Sequence, residues 1–170
     1  MFSAGDLVVY GGEGVCCVQA VGPSGIPGAD KTKTYYTLRP FYRTGQVLTP
    51  VDTKVLMRPV MSADEARELV EQLDRLEMPL PAQGNPRVWK DYYHEVVTSY
   101  DCRRMAALLR LLAQRRRTAL EQGKKPSQMD ERYAKRAEEQ LHGELAAALG
   151  IERQEVPAYI AQRHPQWPEI

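Results

Sequence analysis

The chain changes character near residues 58–61, and this change constrains the fold more than any other feature. Before it, short runs of β-branched and aromatic residues alternate with glycine and proline turns. After it, apolar residues recur at helical spacing. Strands followed by helices, without alternation, are typical of an α+β protein. We therefore predict a β unit over residues 1–60 and an all-α bundle of four to five helices over residues 61–170.

Five strand-like segments divide the β unit. They cover residues 7–10, 15–21, 33–39, 46–51 and 55–57. The segment 22–30 is too rich in glycine and proline for a central strand or a helix, so we expect a surface loop there. Several short strands within one small unit predict a strongly bent, barrel-like sheet.

The fourth of these segments contains Pro50, which cannot donate a hydrogen bond within a sheet. Proline therefore favours a strand at the edge of the sheet, where a strand from another protein can pair with it. The same edge could pair two copies of the chain into a homodimer. Alternatively, Pro50 only ends the strand.

Local signals place the start of the first helix after Ser62. Ser62 and Glu65 form a capping box, in which each side chain accepts a hydrogen bond from the other residue's N–H group. The apolar stripe that follows contains Ala66, Leu69, Val70, Leu73 and Leu76. Prolines in the segment 78–84 predict a stiff connector to the next helix.

The second predicted helix spans residues 85–100 and carries Trp89 near its start. Asn85 is a suitable N-cap, and Pro86 at the first helical position sacrifices no hydrogen bond. Trp89 has two interpretations. It is either an anchor of the bundle core or, flanked by Arg87 and Lys90, a flat apolar surface offered to nucleic acid.

The third predicted helix runs from Asp101, its N-cap, to about residue 121. Three arginines repeat every seven residues opposite its apolar side and form a basic stripe: Arg103, Arg110 and Arg117. Lys124 and Lys125 extend the positive charge beyond the helix end. The stripe is either a solvated face or a set of phosphate contacts.

Two further helices complete the bundle. The first begins after Ser127, which forms a candidate capping pair with Asp130, and ends at Gly150, a suitable C-cap. Its predicted buried side contains Tyr133, Ala134, Ala137, Leu141, Leu145, Ala148 and Leu149. The second is short and covers residues 152–162. The tail, residues 164–170, is either an anchor or disordered.

Composition limits the kinds of partner and the cellular compartment that we expect for this protein. The formal net charge is +1, so any nucleic-acid surface must be local. No apolar run approaches the length of a membrane span, and we expect a cytoplasmic, nucleoid-associated protein without membrane contact. The three cysteines are expected to be reduced, with adjacent Cys16 and Cys17 on opposite faces of a strand.

The sequence contains no familiar catalytic or phosphate-binding motif. Asp91 and His94 lie three residues apart on a helix, but a surface contact explains them. We expect no enzyme activity, no metal site and no cofactor.

Three segments together resemble a known family. The opening FSAGDLVVYGGEGVCCVQAV, the segment NPRVWKDYY around Trp89 and the helix ERYAKRAEEQLHGELAAALG resemble, in order and spacing, the CarD/CdnL-type bacterial transcription regulators. The same N-terminal module occurs in the transcription-repair coupling factor. Gly11 stands where the family usually has proline, and Leu48 where some members have arginine.

The resemblance implies an N-terminal Tudor/SH3-like β-barrel that binds the RNA polymerase β subunit. The strand that would make this contact contains Val47, Leu48, Thr49, Pro50 and Val51. The helical part would meet promoter DNA at the upstream edge of the melted region, with Trp89 as the family's wedge residue. Trp89 would then hinder closure of the bubble.

We therefore predict a transcription regulator that binds RNA polymerase and stabilises the open promoter. Trp89 would be assisted on DNA by Arg87, Lys90 and the basic residues of the third helix and its end. One alternative is a protein-only interaction module without DNA contact. The other is an enzyme of unrecognised type with a pocket near His94.

Overall fold

The computed structural model describes residues 1–77 and 84–168. The chain divides into two compact units, Met1–Val60 and Met61–Ile170. The connector predicted at residues 78–84 lies, apart from Gly84, outside the described residues.

The first unit contains a single antiparallel sheet. Its five described strands are β1 (Leu7–Tyr10), β2 (Gly14–Gly22), β3 (Tyr35–Pro40), β4 (Val47–Pro50) and β5 (Met57–Pro59). The strand order is β4-β3-β2-β1-β5, which leaves β4 and β5 at the two edges of the described sheet. Residues 23–34 contain no strand, which agrees with the loop predicted at residues 22–30 except at Gly22. β3 begins two residues later than the predicted start at residue 33.

The fifth strand begins two residues later than predicted. Val55 and Leu56 are exposed and precede it. The Leu56 carbonyl nevertheless accepts a hydrogen bond from the Gly11 N–H at 2.8 Å. Gly11 therefore extends the β1–β5 pairing by one bond, which a proline at this position could not do because it has no N–H to donate.

The sheet bends strongly, as predicted. The Tyr10 hydroxyl on β1 donates a hydrogen bond to Thr49 Oγ1 on β4 at 3.1 Å, although β2 and β3 lie between these strands. In a flat sheet the two strands would be about 14 Å apart, three times the interstrand spacing. The concave side encloses the core of the unit: Val8, Tyr10, Cys16, Val18, Tyr36 and Leu38.

The cysteines are free thiols, and the two adjacent ones differ in burial as their alternation predicts. Cys16 lies in the core, where burial, followed by the neighbouring Cys17, raises the pKa of its thiol to about 11. Cys17 is half-buried on the opposite face. The Cys16 thiol is therefore protonated and unreactive at neutral pH.

The second unit consists of helices. Those described are α1 (Ala63–Glu71), α2 (Pro86–Ser99), α3 (Cys102–Glu121), α4 (Gln128–Leu149) and α5 (Val156–Ala161), with short 3₁₀ turns at Leu73–Arg75 and Arg153–Glu155. A sheet followed by five described helices confirms the predicted α+β class. Within the described part of the chain, no helix combines the length and apolarity needed to cross a membrane.

The helix ends agree with the local signals. The capping box of Ser62 and Glu65 is present in both directions. Asn85 accepts hydrogen bonds at the start of α2, and Asp101 does so at the start of α3. Gly150 ends α4 in the left-handed conformation.

Helix α4 is the centre of the bundle because it contacts α1, α2, α3 and α5. Its predicted apolar residues Tyr133, Ala137, Leu141 and Leu145 are buried, whereas Ala134, Ala148 and Leu149 are half-buried. Three polar residues outside the predicted apolar side are also buried: Asp130, His142 and Glu144. A helix covered on several sides buries more than one stripe.

Glu144 joins the start of the unit to its core. One carboxylate oxygen accepts the Met61 N–H at 3.1 Å. The other accepts the Cys102 thiol at 3.0 Å. Both oxygens of this buried group therefore have partners, as burial of a carboxylate requires.

The described part of the tail is anchored to the helical unit, which favours the interpretation of the tail as an anchor over that of disorder. His164 Nε2 lies 2.6 Å from the Val70 carbonyl oxygen. Arg163 pairs with Glu71 at 3.0 Å, and Trp167 packs against the helical core. Residues 169–170 lie outside the description.

His142 predicts a pH dependence of stability. Burial, followed by the charge of Arg153, lowers the pKa of His142 to about 4. The unfolded chain binds a proton at this side chain near its ordinary pKa of about 6.5, so the stability is complete above that pH and falls as the pH drops toward the folded-state pKa. We expect the free energy of unfolding to fall by about 2 kcal/mol from this group between about pH 7 and about pH 5.

Urea unfolding of the parent and His142→Gln at both pH values checks this expectation. A glutamine side chain does not titrate, so the variant should lose about 2 kcal/mol less than the parent over this interval. Equal losses in the two proteins would show that His142 is not held neutral by the fold.

Candidate functional site

Trp89 is the fourth residue of α2 and lies at the margin of the helical core. Its side chain is half-buried. The indole packs against Tyr93, with ring centroids 5.8 Å apart. Trp89 is therefore neither sealed inside the bundle nor free of it, and it combines features of both interpretations made from the sequence.

The guanidinium group of Arg115 lies over the Trp89 indole. Its Cζ atom is 4.3 Å from the ring centroid, within the range of a cation–π interaction. Arg115 Nε also donates to Asp130 Oδ2 at 2.9 Å, on the first turn of α4. Residues from α2, α3 and α4 thus meet at the indole.

The buried side of this cluster is aromatic. Tyr93 is fully buried and packs against Tyr133, with ring centroids 5.6 Å apart. Burial raises the pKa of Tyr93 above its ordinary value, and the Asp130 carboxylate raises it further. The Tyr93 hydroxyl therefore stays protonated at physiological pH.

The charged residues beside Trp89 on the same helix are exposed. Arg87 and Lys90 flank the indole in sequence, and Val88 exposes 41% of its surface. Exposed cationic residues next to a partly accessible indole can contact a polyanion that approaches the start of α2.

The basic stripe predicted on α3 is divided in the structure. Arg103 Nη2 donates to Gln72 Oε1 at 2.6 Å, and Arg110 Nη1 donates to the Leu76 carbonyl at 2.6 Å. These two arginines fasten the segment after α1 to α3. Arg117 is exposed.

A second group of basic residues surrounds an open cavity of about 400 Å³ at the α3–α4 turn. The cavity is lined by Arg115, Arg116, Lys124, Lys125, Ser127 and Asp130, among others. Arg116 pairs with Glu131 at 2.9 Å, whereas both lysines are exposed. Arg115 lines this cavity and also covers the indole, so it connects the cavity that contains the predicted lysines with Trp89.

Sequence reasoning did not identify Arg115 as a partner of Trp89. Helices joined by a short turn run antiparallel, so residues at similar distances from the turn meet. Trp89 lies 12 residues before Asp101 and Arg115 lies 14 residues after it. These similar distances from the turn could have indicated that Arg115 lies near Trp89.

Asp91 and His94 are exposed on α2. Neither lines the α3–α4 turn cavity nor a second cavity of about 400 Å³ between α3 and α4. These two cavities therefore do not support the alternative of an enzyme pocket near His94.

The predicted polymerase-binding residues lie on and just after β4. β4 pairs with β3, and the described strands leave its other side open. Val47, Leu48, Pro50 and Val51 are half-buried. Thr49 is buried and bonded to Tyr10, so its side chain faces the core.

The pairing register shows which main-chain groups face the open edge. Val51 N–H donates to the Thr34 carbonyl, and hydrogen-bonded pairs alternate along an antiparallel ladder. Leu48 and Pro50 consequently occupy non-hydrogen-bonded positions opposite β3. The Leu48 N–H and C=O therefore face outward, and the missing N–H of Pro50 does not weaken the β3–β4 pairing. The Pro50 carbonyl oxygen accepts a hydrogen bond from the Thr53 N–H at 3.0 Å.

Comparison with known families identifies the first unit. Residues 2–61 match the CarD-like/TRCF RID domain, the RNA-polymerase-interacting domain of that family. The match coincides with the β unit and supports RNA polymerase binding as its function. No match was found among the curated proteins.

The different surroundings of Arg110 and Arg117 predict different contributions to stability. Arg110→Met removes a charged donor from the Leu76 carbonyl in a partly buried position, so we expect the free energy of unfolding to fall by about 1–2 kcal/mol. Arg117→Met, seven residues along the same helix, should change it by less than about 0.5 kcal/mol. Urea unfolding measures both values, and equal effects would contradict the division of the stripe.

Proposed function

We propose that the chain, which carries a CarD-like/TRCF RID domain at residues 2–61, is a non-enzymatic transcription regulator. In this proposal the β unit binds the RNA polymerase β subunit, and the helical unit contacts promoter DNA at the upstream edge of the melted region. The family match of the β unit is the observation that carries the proposal. The partly accessible indole beside exposed basic residues supports its DNA-binding part.

The polymerase contact is proposed at the open edge of β4. A strand of the β subunit could exchange two hydrogen bonds with the N–H and C=O of Leu48. The half-buried side chains of Leu48 and Pro50 would supply selectivity, because Val47 and Val51 pack against the core of the β unit. Thr49 would contribute indirectly, because its bond to Tyr10 helps fix the curvature of the edge. The same edge is where a homodimer would form.

The DNA contact is proposed at Trp89. An apolar side chain placed against unpaired bases offsets the cost of unstacking and opposes closure of the bubble. Arg87 and Lys90 would contact phosphates beside the wedge, and Lys124 and Lys125 would do so from the α3–α4 turn. Of the predicted stripe, Arg117 is the most available contributor, since Arg103 and Arg110 bind the segment after α1.

The two contacts support each other. A net charge of +1 provides little general attraction to DNA. Binding to polymerase would raise the effective concentration of DNA near the helical unit, so a weak intrinsic affinity for DNA suffices. We expect cooperative retention on polymerase–promoter complexes and weak retention on DNA alone.

The alternative function, a protein-only interaction module, is supported by the packing of Trp89 against Tyr93 and the margin of the helical core. In that case the indole would only stabilise the bundle. The two functions differ in whether the indole affects the open promoter.

The β4 edge generates a binding prediction. Leu48→Pro removes the outward N–H without removing a bond to β3, so polymerase affinity should fall about five- to tenfold while the free energy of unfolding changes little. Leu48→Ala keeps the N–H and should weaken binding less. Titration of full-length variants against RNA polymerase core enzyme measures the affinities, and equal losses for the two variants would argue against strand pairing.

Trp89 generates a prediction about the open complex. Trp89→Ala should shorten the half-life of the polymerase–promoter complex after heparin challenge about 5- to 100-fold relative to the parent, the range expected for loss of one base–aromatic stack. Trp167→Phe, at the other tryptophan, should leave the half-life unchanged. An unchanged half-life for a folded Trp89→Ala protein would favour the protein-only module.

A further inference from the structure

We infer that the Arg115–Asp130 pair is a positioning device, which holds the Trp89 indole at the margin of the bundle in the orientation that DNA meets. The inference rests on the proposed function and assigns to Arg115 a role other than phosphate binding. It follows from the way three helices converge on one guanidinium group.

The guanidinium group is engaged by two different contacts. Its Cζ atom lies over the indole at 4.3 Å from the ring centroid. Its Nε donates to Asp130 Oδ2 at 2.9 Å. A planar, delocalised cation can stack on a ring and donate in its own plane at once, whereas a lysine ammonium cannot make both contacts in this way.

Asp130 is suited to hold the arginine. Its side chain is buried, and it lies in the first turn of α4, where the helix macrodipole favours a negative charge. The Asp130 N–H donates to the Ser127 hydroxyl, which fixes the backbone of that turn. The carboxylate also acts on Tyr93, which packs against the indole from the buried side.

The charge of Arg115 is largely compensated where it lies. A buried carboxylate neutralises it, and one side of the guanidinium group is covered by the indole. Lys124 and Lys125 in the same cavity are exposed and better placed to attract phosphate. The structure thus separates a group that orients the indole from groups that supply free positive charge.

The two roles predict opposite results for Asp130→Asn, which removes the charge but keeps the shape. If Arg115 orients the indole, loosening it should shorten the open-complex half-life about two- to fivefold. If Arg115 binds phosphate, releasing it from Asp130 should lengthen the half-life. Arg115→Lys should also shorten the half-life about two- to fivefold. Lysine keeps the positive charge but lacks the planar guanidinium group that contacts both the indole and Asp130.

The experiment uses full-length proteins in a Trp167→Phe background, so that Trp89 is the sole fluorophore of its kind. Acrylamide quenching of Trp89 is measured in the free protein. Open-complex half-life and the affinity for the polymerase–promoter complex are measured at several salt concentrations, also for Arg115→Gln. We expect Asp130→Asn and Arg115→Lys to increase quenching and shorten the half-life, with the slope of log affinity against log salt unchanged. Arg116→Lys, in the neighbouring exposed pair with Glu131, is the matched control and should alter neither quantity.

Three results would overturn the inference. The first is unchanged Trp89 quenching in both folded variants. The second is a longer half-life for Asp130→Asn. The third is a salt slope that falls by about one in Arg115→Gln, which would identify Arg115 as a phosphate ligand.

The experiment also separates this inference from the proposed function. If Trp89→Ala leaves the half-life unchanged, the proposed DNA role fails, whereas the quenching data still test whether the pair orients the indole. If Trp89→Ala shortens the half-life but the variants leave quenching unchanged, the inference alone fails. Urea unfolding of each variant confirms that the comparison is made between folded proteins.

Discussion

The burial of α4 on several sides is the constraint on which the helical unit depends. Contacts with α1, α2, α3 and α5 make this helix the common wall of the bundle. Residues 141–146 of this helix are buried without interruption, and Asp130 is buried in its first turn, so the polar residues among them need partners inside the protein. Glu144 finds them in Met61 and Cys102, and Asp130 finds one in Arg115. The second of these arrangements brings a charged group from α3 over Trp89.

The main constraint on the β unit is that its small sheet has an open edge at β4, where main-chain groups lack partners within the described sheet. Bending brings Tyr10 to Thr49 and encloses a core, but it leaves β4 with outward main-chain groups. An unpaired edge is a hazard for aggregation unless it is short or has a partner. β4 is four residues long and ends at Pro50. These features limit unwanted pairing, and the proposed polymerase contact would use the bonds that remain.

The sequence predicted the elements that depend on local chemistry. Helix starts at Ser62, Asn85 and Asp101 were found because a cap is decided within three or four residues. The strand edge at β4 was found because proline carries its own restriction. The start of β5 was missed by two residues because its extent depends on pairing with β1, a strand far away in the sequence.

The candidate site was less predictable, because helix packing decides it. A helical projection placed Arg103, Arg110 and Arg117 on one face but could not show that Gln72 and Leu76 lie against two of them. Asp130 was interpretable only as part of a cap at the start of α4. Its burial and its bond to Arg115 depend on how α3 and α4 pack, which no short motif specifies.

The central claim is that the indole of Trp89 meets melted promoter DNA while the β unit holds polymerase. The most direct measurement is the fluorescence of 2-aminopurine placed at the upstream edge of the bubble in a polymerase–promoter complex. Addition of the parent chain should lower the emission, because an indole stacked on the base quenches it, and Trp89→Leu should bind the complex without lowering it. Equal emission with the two proteins at saturation would contradict the account.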